Sequence, residues 1–345
     1  MTTYPAFRIH QDAQGHHAGI EQLPQPTPAA GEVLIRVGWS GVNYKDALAG
    51  TGTGKILRRF PLVGGADGAG VVEQSAHPCY QSGDAVVVTG WGLTHDHDGG
   101  FAGYLCCPAE WLVPIPAGLD PRAAGIYGTA GLTAALAVHR MLINGQDPAM
   151  GPILVTGATG GVGAVAVAIL ARLGFTVAAL SGKPELTDWL HTLGASEVLP
   201  RDAMADAKRP LEKARWGGAV DNVGGEVLAQ ITRTIVPEGN IAAIGLVGGH
   251  ELHTTVMPFI LRGASLLGCN SVDVPFALRK ELWAHLAGDW RPADLEALVT
   301  ETVGLEGLPA VFERMLAGRT HGRILVELSS TESAGPLAGM KIKSS

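Results

Sequence analysis

Five small residues in PILVTGATGGVGAVAVAILARLGFTVAAL, residues 152–180, have the spacing of a phosphate-binding turn. Gly161, Gly163 and Ala166 match the pattern G-x-G-x-x-A, and two more glycines precede them at 157 and 160. Glycine has no Cβ, so it allows positive φ and lets a pyrophosphate approach the amides that begin the next helix. The residues predicted to bind a dinucleotide here are Thr159, Gly160, Gly161, Val162 and Gly163.

The residues after the next predicted strand bear on which dinucleotide binds. That strand ends in Ser181-Gly182-Lys183 and not in an acidic residue. Asp or Glu at this point accepts hydrogen bonds from the ribose 2'-hydroxyl of NAD, whereas a hydroxyl beside a cation accommodates the 2'-phosphate of NADP. Arg201, just after the third predicted strand, is spaced to add a second cation. The four residues favour NADPH, and the alternative for each cation is a solvated surface residue.

Two polar segments earlier in the chain could contact a substrate. Asn43, Tyr44, Lys45 and Asp46 are adjacent polar residues where a short helix is predicted to start, and Asn43 could cap that helix. The glycine-rich loop GTGTGKILRRF, residues 50–60, then carries the cations Lys55, Arg58 and Arg59. Composition alone leaves these three cations either as solvated charges or as a functional basic rim.

The loop of residues 90–100 contains candidate metal ligands. His95 and His97 lie there, flanked by Asp96 and Asp98. Zinc needs three or four protein ligands, most often Cys and His, and no cysteine or third clear ligand accompanies this pair. We therefore predict no metal site.

A parallel sheet is the element that must position the dinucleotide turn. Residues 153–156 form a short apolar run typical of a strand buried on both faces, followed by a predicted helix at 164–173 and a second strand at 175–180. Four further apolar runs bounded by turn residues lie at 195–199, 219–223, 240–245 and 265–269. Six strands predict a doubly wound α/β sheet. The alternatives for the opening segment are a transmembrane span, disfavoured by Arg172 and Gly174, and a tight turn without a cofactor.

The first part of the chain has a different pattern. Short β-prone runs separated by turns begin with a predicted hairpin of residues 7–9 and 20–23 and continue to about residue 115. They predict a compact β-rich domain.

Composition limits the class of protein and its partners. The 345 residues are 46% hydrophobic and 17% charged, as in a globular protein. The net charge of -7 argues against nucleic acid or an anionic membrane surface as a partner. The start of the chain shows no positive segment followed by an apolar one, so we expect a cytoplasmic protein. Spacing predicts reduced thiols at Cys79, Cys106, Cys107 and Cys269.

Several motifs, in order and spacing, resemble the medium-chain dehydrogenase/reductase superfamily. They are VGGADGAGVV, GDAVVVTGWGL and GTAGLTAALAV immediately before GATGGVG. More narrowly, NYKDALAGTGTGKILRRFPLVGG and VTGWGL with HDGGFAGY resemble the zinc-independent acrylyl-CoA reductases, close to the quinone oxidoreductase branch. The similarity runs from about residue 6 to about residue 328.

The resemblance implies the domain organisation. Residues 1–123 and 290–328 would form a β-rich GroES-like catalytic domain, and residues 124–289 a Rossmann NADPH-binding domain. Residues 329–345 are small and polar and are expected to be a disordered tail. A homodimer formed through edge strands around residues 265–270 is also implied.

The resemblance also implies site roles. Tyr44 would lie beside the nicotinamide as a cofactor contact and as the proton donor or its organiser, with solvent as the alternative donor. Leu246, Asn270 and Arg323 would contact the cofactor. Zinc-dependent relatives have a Cys in the segment matching residues 43–46 and a His-Glu pair where this chain has Ala66-Asp67, so the chemistry is expected to be zinc-independent.

The implied reaction is NADPH reduction of the activated C=C bond of a short 2-enoyl-CoA, acrylyl-CoA to propionyl-CoA, with the loop cations at 55, 58 and 59 binding coenzyme A phosphates. The alternatives are an NADPH:quinone or enone oxidoreductase, and a sensor or structural protein that binds NADPH without turnover.

Overall fold

A computed structural model describes residues 2–204 and 209–328. The strands are β1 (Thr3–Asp12), β2 (Gly15–Pro24), β3 (Glu32–Gly41), β4 (Leu62–Val63), β5 (Asp67–Ser75), β6 (Ala85–Thr89), β7 (Tyr104–Pro108), β8 (Val113–Pro114), β9 (Ile153–Thr156), β10 (Val177–Ser181), β11 (Glu197–Pro200), β12 (Trp216–Asp221), β13 (Ile235–Ala243), β14 (Ser265–Gly268), β15 (Val299–Val303) and β16 (Arg323–Glu327). The helices are α1 (Tyr44–Thr51), α2 (Pro121–Ile143), α3 (Gly161–Arg172), α4 (Thr187–Thr192), α5 (Gly225–Thr234), α6 (Met257–Arg262), α7 (Phe276–Ala287) and α8 (Leu308–Leu316). The predicted disorder of residues 329–345 falls outside the described residues.

Six parallel strands form the nucleotide-binding sheet, in the order β11-β10-β9-β12-β13-β14. The doubly wound fold predicted from the apolar runs is therefore confirmed. Every residue of β9 is buried, because helices cover both faces of such a sheet. The chain order reverses between β9 and β12, and ligands of open α/β sheets bind beyond the carboxyl ends of the strands at such a point.

The β-rich part contains two sheets, which are antiparallel except for the parallel pair β15 and β16. Strands β2, β1 and β4 form one sheet, and the predicted hairpin is present as β1 and β2, paired from Thr3↔Pro24 to Asp12↔Gly15. The larger sheet has the order β15-β16-β3-β5-β6-β8, with β7 also paired to β3. The last strands of the described chain thus return to the sheet of the first part. The presence of β15 and β16 in this sheet supports the proposed domain boundaries, which stay a prediction.

Helix α2 joins the two parts. Of the described helices it is the one long and apolar enough to cross a membrane, and 72% of its most apolar window is buried inside the protein. It packs against α3 on one side and against β3 and β5 on the other. Gly128 interrupts its helical backbone at φ 48° and ψ -147°. A Cβ at Gly128 would lie 2.6 Å from Asp67 Oδ2, so this glycine permits the close approach of the two parts.

Candidate functional site

The glycine turn lies between β9 and α3, at the point where the strand order reverses. Gly157 has φ 57°, a conformation that favours glycine, and Gly160 caps α3. A Cβ at Gly163 would lie 2.8 Å from the Cα of Ala158, which real Cβ atoms essentially never do. The turn therefore depends on its glycines and leaves the first amides of α3 available to an anion.

The remaining turn residues fit the same role. Thr159 is buried, and its carbonyl oxygen accepts a hydrogen bond from the N–H of Gly322 at 2.9 Å. Gly161 and Val162 are partly exposed in the first turn of α3. That first turn contains no acidic side chain to compete for the helix N-terminus. Pyrophosphate binding by residues 159–163 stays a prediction that this geometry supports.

A cavity of about 690 Å³ opens beside the carboxyl end of β10. Ser181 ends β10, and its Oγ accepts a hydrogen bond from the N–H of Lys183 at 3.0 Å. A Cβ on Gly182 would lie 2.9 Å from an Arg201 terminal nitrogen, so the Arg201 guanidinium lies close against Gly182. The residues lining the cavity are Gly182, Lys183, Glu185, Leu186, Arg201, Leu316, Ala317, Gly318, Arg319 and His321. The structure thus brings Gly182, Lys183 and Arg201 together in the cavity, and Ser181 is joined to them through the backbone N–H of Lys183.

Arg319 and His321 in this cavity were missed by sequence reasoning. They come from the segment between α8 and β16, which belongs to the other part of the protein. The available signal was the polar run Arg319-Thr320-His321 just before the last strand. Burial lowers the pKa of His321, and the Lys183 ammonium lowers it further. The cavity therefore gathers the basic side chains of Lys183, Arg201 and Arg319 around His321, together with the carboxylate of Glu185.

Lys183 has a second role in the same cavity. Its Nζ donates a hydrogen bond to the carbonyl oxygen of Thr320, and burial lowers its pKa. This bond joins the nucleotide-binding sheet to the segment before β16. Lys183 is therefore both a candidate phosphate ligand and a link between the two parts of the chain.

The predicted contact between Arg323 and the cofactor stays a prediction. Arg323 is 1% exposed, and the structure does not bring it to the cavity surface. Its Nε donates to the Ile126 carbonyl at 2.7 Å, and Nη1 donates to the Val42 carbonyl and to Asn43 Oδ1, each at 3.3 Å. The reason is its position at the start of β16, between β15 and β3, which directs the side chain inward. Arg323 thus connects three protein segments by hydrogen bonds.

Tyr44 is the first residue of α1, and 44% of it is exposed. The predicted helix start is present, with Asn43 as the N-cap donating its N–H to Asp46 Oδ2 at 2.9 Å. Asp46 is buried, and its Oδ1 accepts the N–H of Ala66 at 2.9 Å. Burial raises the pKa of Asp46 to about 7, although Lys45 and the Asn43 bonds act against this shift. These bonds fix the backbone that carries the Tyr44 ring.

A buried network connects the Tyr44 segment with the glycine turn. Asp67 is its centre, and its carboxylate accepts from Ser40 Oγ (3.2 Å), Gly41 N (2.6 Å), Asn43 Nδ2 (2.9 Å) and Thr129 N (2.9 Å). Arg323 Nη1 donates a hydrogen bond to Asn43 Oδ1. The same nitrogen would lie 3.1 Å from a Cβ placed on Gly161. Tyr44 and the turn are therefore held in a fixed relation by Asn43 and Arg323.

Two predicted cofactor residues lie on loops after the sheet strands. Leu246 follows β13 and is 66% exposed. Asn270 is exposed after β14, where its Nδ2 donates to Asp273 Oδ2 at 2.8 Å and its Oδ1 accepts the N–H of Val272 at 3.0 Å. The Asn270 amide is thus already bonded within its own loop. Neither residue lines the cavity at β10, and their contact with a cofactor stays a prediction.

The loop cations follow α1, whose opposite end carries Tyr44. Lys55, Arg58 and Arg59 are exposed, and within the described ranges none of them forms an ion pair. The backbone N–H of Arg58 donates to the His95 carbonyl at 2.7 Å, which ties the loop to residues 90–100. The ammonium of Lys55 and the guanidinium of Arg58 are thus available to an anionic ligand.

His95 and His97 are not gathered with a third metal ligand. His97 Nδ1 lies 2.8 Å from the Asp98 carbonyl oxygen, and its ring packs against Trp111. Across residues 2–204 and 209–328, the group of three or more metal-ligating side chains that comes together is His10, Asp12 and His17.

Comparison with known families fits this geometry. Residues 29–117 match the model of the alcohol dehydrogenase GroES-like domain, and residues 161–287 match that of the zinc-binding dehydrogenases. Acrylyl-CoA reductase AcuI of Ruegeria pomeroyi is 45% identical over 314 residues, which is 91% of this chain and 95% of the relative. The chain belongs to the medium-chain dehydrogenase/reductase superfamily. It is an oxidoreductase of the branch that contains the acrylyl-CoA and quinone reductases.

Two further members of this superfamily extend the comparison. YhfP of Bacillus subtilis, whose name assigns it provisionally to the quinone oxidoreductases, is 43% identical over 95% of this chain and 99% of its own length. The yhdH oxidoreductase of Salmonella enterica was solved in complex with NADP, and it superposes with a TM-score of 0.90 at 43% identity, over 94% of this chain and 100% of that one. The GroES-like and Rossmann architectures are thus both confirmed.

Proposed function

We propose that this protein uses NADPH to reduce the activated C=C bond of a short 2-enoyl-CoA, acrylyl-CoA to propionyl-CoA, without zinc. The observation that carries the proposal is the fixed relation between Tyr44 and the glycine turn, held by Asn43 and Arg323. It sets an exposed phenol near the site where a dinucleotide would bind. The similarity to AcuI, named as an acrylyl-CoA reductase, supports the substrate class.

The donor groups fit NADPH in particular. The amides of residues 159–163 would hold the pyrophosphate, and Ser181, Lys183 and Arg201 would hold the 2'-phosphate. Relatives alone do not decide between the two dinucleotides, because yhdH was crystallised with NADP and yhfP of Bacillus subtilis with NAD. The cations of the β10 cavity support NADPH, since NAD lacks the 2'-phosphate that would neutralise them.

The proposed mechanism assigns the proton transfer to Tyr44. Bound NADPH would supply the hydride for the β-carbon of the substrate, which leaves negative charge on the thioester carbonyl oxygen and the α-carbon. The Tyr44 hydroxyl donates its proton to the α-carbon, and water then restores that proton to the phenol oxygen. The C=C bond thus gains one hydride and one proton.

The chemistry of the local side chains supports the proposed zinc independence. Ala66 has no ligand atom, and the Asp67 carboxylate is already surrounded by four hydrogen-bond donors. Asn43 is engaged on both sides of its amide by Asp67 and Arg323. These residues do not provide the Cys and His donors that zinc prefers.

The substrate class can be tested at the loop after α1. We expect the combined substitution Lys55→Ala, Arg58→Ala and Arg59→Ala to raise KM for acryloyl-CoA about tenfold to a hundredfold, since each exposed contact with a phosphate contributes up to ~1 kcal/mol. KM for a small quinone or enone without coenzyme A should not change. Steady-state NADPH oxidation measures both.

The matched control for the loop variant is Arg172→Ala, which removes an exposed cation at the end of α3. It should leave both KM values unchanged. Equal effects of the loop substitutions on acryloyl-CoA and on the small substrate would remove the loop from coenzyme A binding.

We also propose a homodimer formed through β14. This strand is the edge of the six-stranded sheet, so its outer side has no partner strand. Exposed apolar side chains lie on β14, on the preceding α6 and at the N-cap of α6: Val256, Met257, Ile260, Leu261 and Leu266. Pairing of two copies about a twofold axis would cover both the edge and this surface.

Light scattering after size exclusion tests the dimer. We expect a mass twice the 35.7 kDa of the chain, a monomer for Leu266→Glu, and a dimer for the control Ile20→Glu on β2. A monomeric unsubstituted protein would refute the proposed interface.

The cytoplasm is the proposed compartment, since the four cysteines are free thiols. Recovery of the protein outside the cytoplasm on cell fractionation would contradict it.

A further inference from the structure

One face of the β1–β2 hairpin collects metal-ligating side chains. His10 and His17 are directly opposite each other in the strand register, and their rings are stacked 4.9 Å apart at 3°. Asp12 lies on the same face, two residues along β1, with its Oδ2 3.9 Å from His17 Nε2. One ligand atom from each of the three side chains lies within 4.8 Å of the others.

These separations are close to those of a formed metal site. Two ligands each at about 2.0–2.1 Å from an ion are at most about 4.2 Å apart. The side chains of Asp12 and His17 are about half exposed, so small rotations can bring the three atoms together. Two imidazole nitrogens and a carboxylate oxygen form a donor set suited to Zn²⁺, Ni²⁺ or Cu²⁺ and poorly suited to Mg²⁺.

We propose that His10, Asp12 and His17 bind one divalent transition-metal ion on the outer face of this hairpin, with water completing its coordination. The proposal is independent of the reductase activity. His16 precedes His17 on β2 and therefore points to the opposite face of the hairpin. There its Nε2 lies 3.1 Å from the Gly50 carbonyl oxygen, and its ring packs against Phe60. The metal site and the loop beside α1 are therefore on opposite sides of β2.

Glu21 gives the site a feature beyond the three ligands. Its Oε1 lies 2.5 Å from His10 Nε2, and its Oε2 accepts a hydrogen bond from Arg8 at 3.1 Å. When His10 Nε2 carries the proton, it donates a hydrogen bond to Glu21 Oε1. The lone pair on Nδ1 is then available to a metal ion. A carboxylate in this role orients a ligating imidazole and raises its basicity. Glu21 is thus a positioning residue for His10.

Other exposed histidine–carboxylate pairs lack this arrangement. His253 Nε2 lies 3.0 Å from Glu251 Oε2, but no third ligating side chain of the described chain joins that pair. His253 is therefore a matched control for an exposed histidine near an acidic group. The comparison separates a three-ligand site from general attraction of cations to an acidic protein.

Calorimetric titration of the tag-free full-length protein with Ni²⁺ tests the proposal. Ni²⁺ is the probe because it prefers imidazole, whereas the exposed thiol of Cys79 would compete for Zn²⁺. We expect one ion per chain, with His10→Ala and His17→Ala each weakening binding at least about tenfold, the loss of one ligand. Asp12→Asn and Glu21→Gln should weaken it less, and His253→Ala should leave it unchanged.

Activity gives a second readout. NADPH oxidation should be the same with and without Ni²⁺ and in both histidine variants, because the site lies on the other side of β2 from the substrate loop. Thermal unfolding without metal shows that the variants fold. Absence of Ni²⁺ binding to the unsubstituted protein would overturn the proposal, as would binding that survives in His10→Ala and His17→Ala.

Discussion

Replacing Tyr44 by phenylalanine is expected to lower kcat for acryloyl-CoA reduction about a hundredfold or more, with the Kd of NADPH unchanged. A positioned proton donor contributes roughly this much to a transition state, whereas the phenylalanine ring keeps the packing of tyrosine. Among the five tyrosines of the chain, Tyr44 is the exposed one. Burial raises the pKa of Tyr4 and Tyr80 to about 12, which makes them poorer donors to a substrate.

The control for Tyr44 is Tyr104→Phe on β7, which removes another partly exposed phenol far from α1 in sequence. It should leave kcat unchanged. Stopped-flow and steady-state kinetics together separate cofactor binding from turnover. Full activity of Tyr44→Phe would assign the proton to solvent or to another group.

Removal of the cations at β10 should change the preference between cofactors. Arg201→Ala and Lys183→Ala are each expected to weaken NADPH binding about tenfold to a hundredfold, since a hydrogen bond to a charged group contributes ~1.5–3 kcal/mol. NADH binding should change much less, because NADH has no 2'-phosphate. Fluorescence titration with both cofactors measures the ratio. Arg319→Ala should act in the same direction, since Arg319 lines the same cavity.

Arg215→Ala is the matched control, because Arg215 is an exposed cation paired with Glu197 on β11 but outside the cavity. Lys183 also donates to the Thr320 carbonyl, so its loss could weaken both cofactors equally by a structural effect. Arg201 lies in the cavity beside Gly182 and has no such bond to Thr320. If Arg201→Ala left the ratio of NADPH to NADH affinity unchanged, this would show that the cavity does not recognise the 2'-phosphate.

The parts of the fold that the sequence predicted are those determined locally. The apolar runs and the glycine turn predicted the six strands and the doubly wound sheet, because strand length and turn conformation depend on adjacent residues. The ends of a strand differ from the prediction where pairing with an adjacent strand extends it. Strand β13 begins at Ile235, which pairs with Trp216 of β12, and not at the predicted residue 240. A single apolar run does not show which strands pair with each other.

The parts of the site that were missed depend on long-range packing. The burial of Arg323 between β3 and β15 is not evident from the residues around it in the sequence. Arg319 and His321 reach the β10 cavity from more than a hundred residues along the chain. The pairing of His10 with His17 requires the hairpin register, which the run lengths alone do not give.

We propose that NADPH reduces an enoyl thioester at this site. The most direct measurement compares steady-state kcat/KM for acryloyl-CoA and for a simple quinone, with product analysis. We predict a higher kcat/KM for acryloyl-CoA and formation of propionyl-CoA. A higher value for the quinone would contradict the thioester substrate, and binding of NADPH without its oxidation by either compound would contradict the enzyme.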